Sequence, residues 1–441
     1  MPKKFYIETF GCQMNFSDSE IVASVLRENG YEYTTDNKNA DVVFVNTCSV
    51  RDHAEQRVFK RLREFRSLKK KNKNLVIGVL GCMAELMKEK ILEQEKSVDL
   101  IAGPDAYRDI PKLIVRAQQG QNAINTILST DETYADINPV RLDGKGVSAF
   151  ISIMRGCENF CSYCVVPFTR GKERSRNPLT IIDEAKDLFD NGYREVTLLG
   201  QNVNSYFWED EKVKMNFHLL MEKMAQANKK LRIRFATSHP KDISDELLVS
   251  IAKYPNICRS IHLPVQSGSS RILKIMNRKY NKQDYINRID AIRKIIPDCS
   301  ISTDIICGFC SETEEDHNET LSLMEWANFD SAYMFKYSER PGTMAAGKYT
   351  DDIPDEIKIK RLEKVIQLQQ KLSLKSNQRD VGKFFEVLTE GESKRSKDFL
   401  SGRTSQNKVV IFPRSNFKKG DYVNIRISRC TAATLFGEAE N

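Results

Sequence analysis

Three cysteines fall within eight residues, Cys157-Glu158-Asn159-Phe160-Cys161-Ser162-Tyr163-Cys164, just past an apolar run at 149–153. Gly156 precedes them, and Pro167 and Gly171 follow. The segment therefore reads as a short irregular loop at the end of a strand, able to bring three thiolates onto one metal cluster. In a four-iron cluster, three protein thiolates leave one iron open for a substrate or cofactor. Zinc is the competing reading. It takes paired ligands with a fourth Cys or His nearby, and no histidine lies close in the sequence.

A second set is spread out. Cys12, Cys48 and Cys82 each follow an apolar, strand-like run: Tyr6-Ile7-Glu8-Thr9-Phe10-Gly11-Cys12, Val43-Phe44-Val45-Asn46-Thr47-Cys48 and Val79-Leu80-Gly81-Cys82. The carboxyl ends of parallel strands lie along one edge, where α/β folds bind ligands. Three cysteines at three such ends can meet there, and Gly11 and Gly81 let the backbone turn closely around a bulky group. The competing reading is three unrelated core cysteines. Of the other five, Cys307 and Cys310 have redox or zinc spacing without a second pair, and Cys258, Cys299 and Cys430 are isolated. All five read as structural.

Eleven cysteines are an odd number for a disulfide framework, and a reducing compartment disfavours one. The apolar runs are strand-sized, too short for a membrane span. The start, Met1-Pro2-Lys3-Lys4-Phe5, carries no apolar signal region. A cytoplasmic protein without a membrane partner is expected, and a monomer. The net charge of +8 is mild and matters mainly where it clusters.

A chain of 441 residues exceeds what one core organises. Strand and helix alternate over residues 1–130, which predicts a parallel α/β sandwich. Ser17 with Glu20 reads as a capping box for its first helix, and a charged helix is expected over 52–71. A polar linker at 131–147 follows. Residues 148–377 carry six strand–helix units, with Thr180 and Ser244 as helix caps. Six units fit a partial (β/α)6 barrel better than a doubly wound sheet. Residues 378–441 are strand-rich with glycine turns and read as a small antiparallel β-barrel.

Here the sequence resembles known enzymes. The spacing of Cys157, Cys161 and Cys164 resembles the signature of radical S-adenosylmethionine enzymes. Gly11-Cys12-Gln13-Met14-Asn15, Asn46-Thr47-Cys48-Ser49-Val50-Arg51 and Gly81-Cys82 resemble the amino-terminal domain of methylthiotransferases, and the terminal segment is similar to the RNA-binding TRAM domain. Cys164-Val165-Val166-Pro167-Phe168-Thr169-Arg170-Gly171 and Leu198-Leu199-Gly200-Gln201-Asn202-Val203-Asn204 point to one branch, the MiaB family, which makes 2-methylthio-N(6)-dimethylallyladenosine in tRNA.

The resemblance implies two [4Fe-4S] clusters, one on Cys157, Cys161 and Cys164, the other on Cys12, Cys48 and Cys82. It implies S-adenosyl-L-methionine on the open iron of the first, cleaved by one electron from an external reducing donor, and sulfur carried by the second. The substrate implied is the adenosine 3′ of the anticodon in the tRNA anticodon stem-loop. Adenine carbon 2 gives up no proton near neutral pH, so a radical is the sensible reagent, with the protein supplying position. Cofactor contacts are expected from Tyr163, Gln201, Asn202, Ser238 and Gln266, all but Tyr163 at carboxyl ends of barrel strands. His239, Ser267 and His262 sit in the same zone; both histidines read as hydrogen-bonded structural residues. No side chain is assigned a catalytic role of its own. One departure stands out: relatives have Pro-Gly where this chain has Cys310-Ser311, which predicts a less rigid loop.

RNA binding has a separate signal. Residues 60–73 hold eight basic residues and one acid, and the terminal segment has Lys394, Arg395, Lys397, Arg403, Lys408, Arg414, Lys418, Lys419, Arg426 and Arg429 among Phe399, Phe412 and Phe417. Such groups pair with phosphates and stack on bases. Two rival functions are a sister methylthiotransferase, acting on threonylcarbamoyl-adenosine or a ribosomal protein aspartate, and a non-catalytic iron–sulfur RNA-binding regulator. The Gln13-Met14-Asn15 and Gln201-Asn202-Val203-Asn204 stretches argue against the first by resemblance, and the complete second cysteine set argues against the other.

Overall fold

The computed structural model describes residues 2–48, 52–142, 144 and 146–440, the side chains of 52–55 excepted. Ser49, Val50 and Arg51 of the motif around Cys48 lie outside the described residues. The amino-terminal sheet is parallel throughout. It comprises β1 (Lys3–Thr9), β2 (Tyr31–Tyr33), β3 (Val42–Asn46), β4 (Val76–Leu80), β5 (Leu100–Ala102) and β6 (Ala123–Asn125), in the spatial order β2-β1-β3-β4-β5-β6. β3 and β4 are buried along their whole length, as strands covered by helices on both faces must be. Val42 and Phe44 pack into one apolar cluster, Val43 and Val45 into the other, as the alternation of a strand requires.

The first helix spans Gln13–Glu28, and Ser17 is buried inside it instead of capping it. Gly11, at φ +115°, turns the chain so sharply after β1 that the helix starts directly behind Cys12. The charged helix spans Asp52–Lys71. The polar segment after β6 is anchored: Tyr134 and Ile137 are buried, and Arg141 bridges Glu20 and Glu184 at 2.6 Å each.

The central unit is an arch of six parallel strands. β7 (Ser148–Ser152), β10 (Glu195–Leu199) and β13 (Arg232–Ala236) form one half, and β14 (Ser260–His262), β15 (Ser300–Cys307) and β16 (Ser331–Lys336) the other. A parallel bridge from Ile233 to Ile257 joins the halves. The two-residue strands β8 (Met154–Arg155) and β9 (Arg174–Ser175) pair antiparallel and pinch the neck of the loop between them, and β11 (Phe207–Glu209) with β12 (Lys214–Asn216) makes a surface hairpin. Ser244 caps its helix as expected. In the helix Pro178–Asp190, Asn177 takes the role expected of Thr180, because Pro178 begins the helix three residues earlier than that cap implies.

A 24-residue helix, Asp355–Gln378, leads to a closed barrel of β17 (Phe384–Glu392), β18 (Phe399–Arg403), β19 (Val409–Pro413), β20 (Tyr422–Cys430) and β21 (Leu435–Ala439). Its pairings are antiparallel apart from β19 with β21. The barrel docks beneath the arch, at the amino ends of its strands. Arg232 donates to the Arg403 carbonyl at 2.9 Å, Arg234 to the carbonyls of Thr404 and Ser405 at 2.6 and 3.0 Å, and the Tyr422 hydroxyl to the Arg194 carbonyl at 2.8 Å. No described helix is long and apolar enough to cross a membrane.

Two candidate metal centres and the interface between them

Cys12, Cys48 and Cys82 follow β1, β3 and β4, three adjacent strands, so their thiols gather at one carboxyl edge. The approach is close. A Cβ on Gly11 would lie 2.5 Å from Cys48 Cβ, and one on Gly81 2.4 Å from Asn46 Oδ1. Asn15 accepts from Cys12 Sγ at 3.1 Å and donates to Asn46 at 3.2 Å, and Asn46 donates to the Asn15 carbonyl and Ser19 at 2.9 Å each. These amides tie the end of β3 to Cys12 and the start of the first helix. A hydrogen bond from Cys48, with the charge of Arg170 behind it, brings the Cys12 thiol down to about 6 against the effect of burial. Burial pushes Cys82 up, and Arg170 opposes the shift.

The other set sits in the loop after β8. Gly156, at φ +81°, leads into Cys157, whose N–H donates to the Gly171 carbonyl at 3.1 Å. The Cys164 N–H donates to the Cys161 carbonyl at 2.9 Å, and Ser162 is held from both sides by the Met276 carbonyl and the Ala345 N–H. Burial raises Cys157, and burial together with Cys161 and Cys157 raises Cys164 to about 12. A bound metal reverses that preference, because coordination deprotonates a thiol outright. Arg278 is buried against the loop and donates to Cys161 Sγ at 3.1 Å, the Tyr163 hydroxyl at 3.4 Å, Tyr280 at 2.9 Å and the Pro264 carbonyl at 3.1 Å.

Among the described residues no three His, Cys, Asp or Glu side chains close around a single ion. A cube asks for a wider set, since each thiolate takes a different iron. None of the eleven cysteines is in a disulfide. The donor chemistry, three soft thiols in each cradle, fits an iron–sulfur cluster.

The strand ends near Cys157, Cys161 and Cys164 carry buried polar atoms without a protein partner: Gln201 Oε1, Asn202 Oδ1, both amide atoms of Asn204, Ser238 Oγ and His239 Nε2. That fits a polar ligand such as S-adenosylmethionine. Asn202 is oriented by Asp242 at 2.7 Å. Burial, aided by Arg278 and Lys241, lowers His239 to about 2, so the imidazole is neutral. Gln266 lies at φ +72°, bridging to β15 through its backbone, with N–H to the Asp304 carbonyl and C=O to the Ile306 N–H at 2.9 Å each. Tyr163 packs edge-on against Phe309, ring centroids 6.4 Å apart. His262 bonds Ser302 at 3.0 Å and faces Asp304 at 3.4 Å. The Ser311 loop is tied down: its N–H donates to Asp352 at 2.7 Å and its carbonyl accepts from Arg271 at 2.6 Å.

Between the two centres lies a buried charge network. Arg155 donates to Asp18 at 2.9 Å and Arg170 to Asp18 at 2.7 Å, while Arg174 pairs with Asp105 at 3.0 Å. The Tyr107 hydroxyl donates to Asp18 at 3.1 Å. Burial works against the Asp18 charge, but Arg155 and Arg170 hold its carboxyl below its usual value. Arg170 closes the helix Val166–Arg170 that follows Cys164, and its Nε donates to Cys82 Sγ at 3.2 Å. One side chain thus links the segment behind one set to a thiol of the other.

Residues 4–103 match the family described as uncharacterized protein family UPF0004, 151–324 the radical SAM superfamily and 378–439 the TRAM domain. The tRNA-2-methylthio-N(6)-dimethylallyladenosine synthase of Amoebophilus asiaticus is 57% identical, over 99% of this chain and 92% of its own. That of Parabacteroides distasonis is 56% identical, over 99% and 95%. The chain belongs to the MiaB family. A solved radical S-adenosylmethionine methyltransferase, TsrM from Kitasatospora setae, shares the fold at a TM-score of 0.58 and 13% identity, over 78% of this chain and 75% of that one.

Within this MiaB-family fold, Asp18 escaped the sequence reading, Asn15 and Asn46 stood in quoted motifs without these hydrogen-bonding roles, and neither arginine that reaches the thiols was given one. Arg170 stands in a quoted motif but without a role, and Arg278 lies in a stretch that carries no motif. Of the aromatics proposed for RNA, Phe412 is core and unavailable for stacking, Phe417 packs on it at 6.3 Å, and Phe399 is exposed. Lys60, Arg63, Arg66, Lys70 and Lys71 are exposed on the charged helix.

Proposed function

We propose that this chain is a radical S-adenosylmethionine enzyme that methylthiolates carbon 2 of N(6)-dimethylallyladenosine, 3′ of the anticodon in tRNA. The observation that carries the reading is the pair of cysteine sets at carboxyl strand ends, one beside the other, in a chain of this family. Cys157, Cys161 and Cys164 would hold one [4Fe-4S] cluster and Cys12, Cys48 and Cys82 a second. When bound, the first supplies one-electron cleavage of the S-adenosylmethionine sulfonium and the second the sulfur.

The chain's own groups position these events. Arg278 offers its charge and a hydrogen bond to Cys161. Gln201, Asn202, Asn204 and Ser238 offer unspent donors and acceptors for the amino, carboxylate and ribose groups of the cofactor, with Tyr163 and Gln266 at the margins. A neutral His239 can share a hydrogen bond without adding charge. Phe399 and the exposed basic residues of the terminal barrel and of the helix Asp52–Lys71 suit an anticodon stem-loop. We divide the chain for this work at 1–130, 148–377 and 378–441, with 131–147 between, and assign it to the cytoplasm as a monomer served by a reducing electron donor.

The test is anaerobic reconstitution with S-adenosylmethionine, reductant and prenylated tRNA, followed by mass spectrometry of the nucleosides. The 2-methylthio product and 5′-deoxyadenosine are expected. Cys161→Ala should lose both, while Cys12→Ala should keep 5′-deoxyadenosine and lose the product. Absence of the product in the wild type, or its persistence in Cys12→Ala, would sink the reading.

A further inference from the structure

We infer that Arg170 is a positioning residue for the cluster on Cys12, Cys48 and Cys82, supplied to that site from the radical SAM segment. The inference rests on the two-cluster reading above.

The guanidinium is buried and committed on two sides: Nε donates to Cys82 Sγ at 3.2 Å, and Nη2 to Asp18 at 2.7 Å. Its third nitrogen, Nη1, is buried with no protein partner. A buried charged donor left unpaired is costly. A sulfur-rich anion beside Cys82 offers an acceptor.

Charge counting points the same way. The fully buried network sets three guanidiniums, Arg155, Arg170 and Arg174, against two carboxylates, Asp18 and Asp105. One positive charge is in excess. The nearby Glu85, pushed up to about 7 by burial, is a weak counter-charge. An uncompensated buried cation is costly, and a cluster ligated by three thiolates is anionic. Arg170, the arginine of the three that touches a thiol of this set, is placed to meet it.

A hydrogen bond to a cluster thiolate favours the reduced, more negative state, and cluster potentials respond to such bonds. Arg170 therefore raises the potential of this cluster. It also completes the site only when the two units are docked, since Cys82 and Arg170 come from different units.

The test uses the full chain with Cys157, Cys161 and Cys164 replaced by alanine, so that any cluster left belongs to the other set. Arg170→Lys keeps a charge for Asp18 but cannot also serve Cys82 and a third acceptor. After anaerobic reconstitution, iron content and an EPR-monitored redox titration are compared with and without the substitution. A more negative midpoint and an altered EPR spectrum in Arg170→Lys are expected, with a larger shift in the same direction, or loss of iron, in Arg170→Met. An unchanged midpoint and spectrum in Arg170→Lys, or a shift to more positive potential, overturns the inference. If the background protein itself binds no cluster, the two-cluster reading fails instead. With all six cysteines present, the methylthio product of Arg170→Lys should fall about 10–100-fold, and an unchanged yield overturns the inference.

Discussion

Gly156 and Lys172 lie backbone against backbone: a Cβ on Gly156 would fall 1.8 Å from the Lys172 carbonyl oxygen. The contact sits where β8 and β9 pinch the cysteine loop, and Gly156 is at φ +81°. Gly156→Ala therefore faces both a steric clash and left-handed strain. It should cost upward of about 2 kcal/mol, read as a lower denaturation midpoint. On the two-cluster reading proposed above, iron at Cys157, Cys161 and Cys164 should be lost, while iron at the other set remains. Full iron content in the variant would contradict this account of the loop.

Arg278 serves four acceptors from one guanidinium, among them a cysteine thiol and a tyrosine of the same loop. Arg278→Met leaves the Pro264 carbonyl and the Tyr280 hydroxyl with fewer partners. The expected loss is about 2–4 kcal/mol, at roughly 1 kcal/mol or more for each charge-assisted bond, together with a fall of about 10–100-fold in S-adenosylmethionine cleavage. Cleavage at the wild-type rate would remove Arg278 from the site.

The terminal barrel is fixed to the arch largely by side chains reaching backbone carbonyls. Arg234 spends Nη1 and Nη2 on Ser405 and Thr404 and Nε on Glu195 at 2.8 Å. In Arg234→Met, Glu195 is left buried without this cation, a loss of about 3–5 kcal/mol when a buried pair is broken. The expected readout is faster hydrogen exchange in β20 and protease cleavage after the helix Asp355–Gln378, with iron content unchanged. Wild-type protection of β20 would show that the barrel is held elsewhere.

Much of the candidate site was legible because its cysteines come as strand-end patterns. An apolar run followed closely by Cys, with Gly before it at Cys12 and Cys82 and Thr before it at Cys48, announces a strand and the turn behind it, and the three runs proved to be neighbours in the sheet. What was hidden depends on contacts distant in sequence. β2 and β6 are three-residue edge strands, visible only through their partners. Arg278 lies more than a hundred residues from the thiol it touches, with no local pattern to mark it. The Cys310-Ser311 departure suggested looseness, yet Ser311 sits at φ +61°, held by Asp352 and Arg271. Glycine suits that left-handed angle, while here hydrogen bonds hold a serine in it. Ser311→Gly should raise stability by about 0.5–1 kcal/mol, the left-handed strain relieved less the added entropy of glycine, measured as a higher denaturation midpoint.

His317 is fully buried in the helix Glu314–Ala327, and neither ring nitrogen has a protein partner. Burial, with Arg361 and Lys364 acting against Glu314, lowers its pKa to about 4. The unfolded chain takes up a proton near 6.5 that the folded chain refuses until about 4. Stability from this group is therefore complete above the unfolded value and drains away as pH falls between the two. His317→Leu removes an unsatisfied polar ring, which should raise stability by about 1 kcal/mol at pH 8. It should also make the acid-side slope of stability shallower, leaving the contribution of His239, which is lowered further still. Denaturant midpoints of the two proteins at pH 8 and pH 5 decide it. If the gap between them does not widen toward pH 5, His317 is protonated in the folded chain and its burial is satisfied by a partner of another kind.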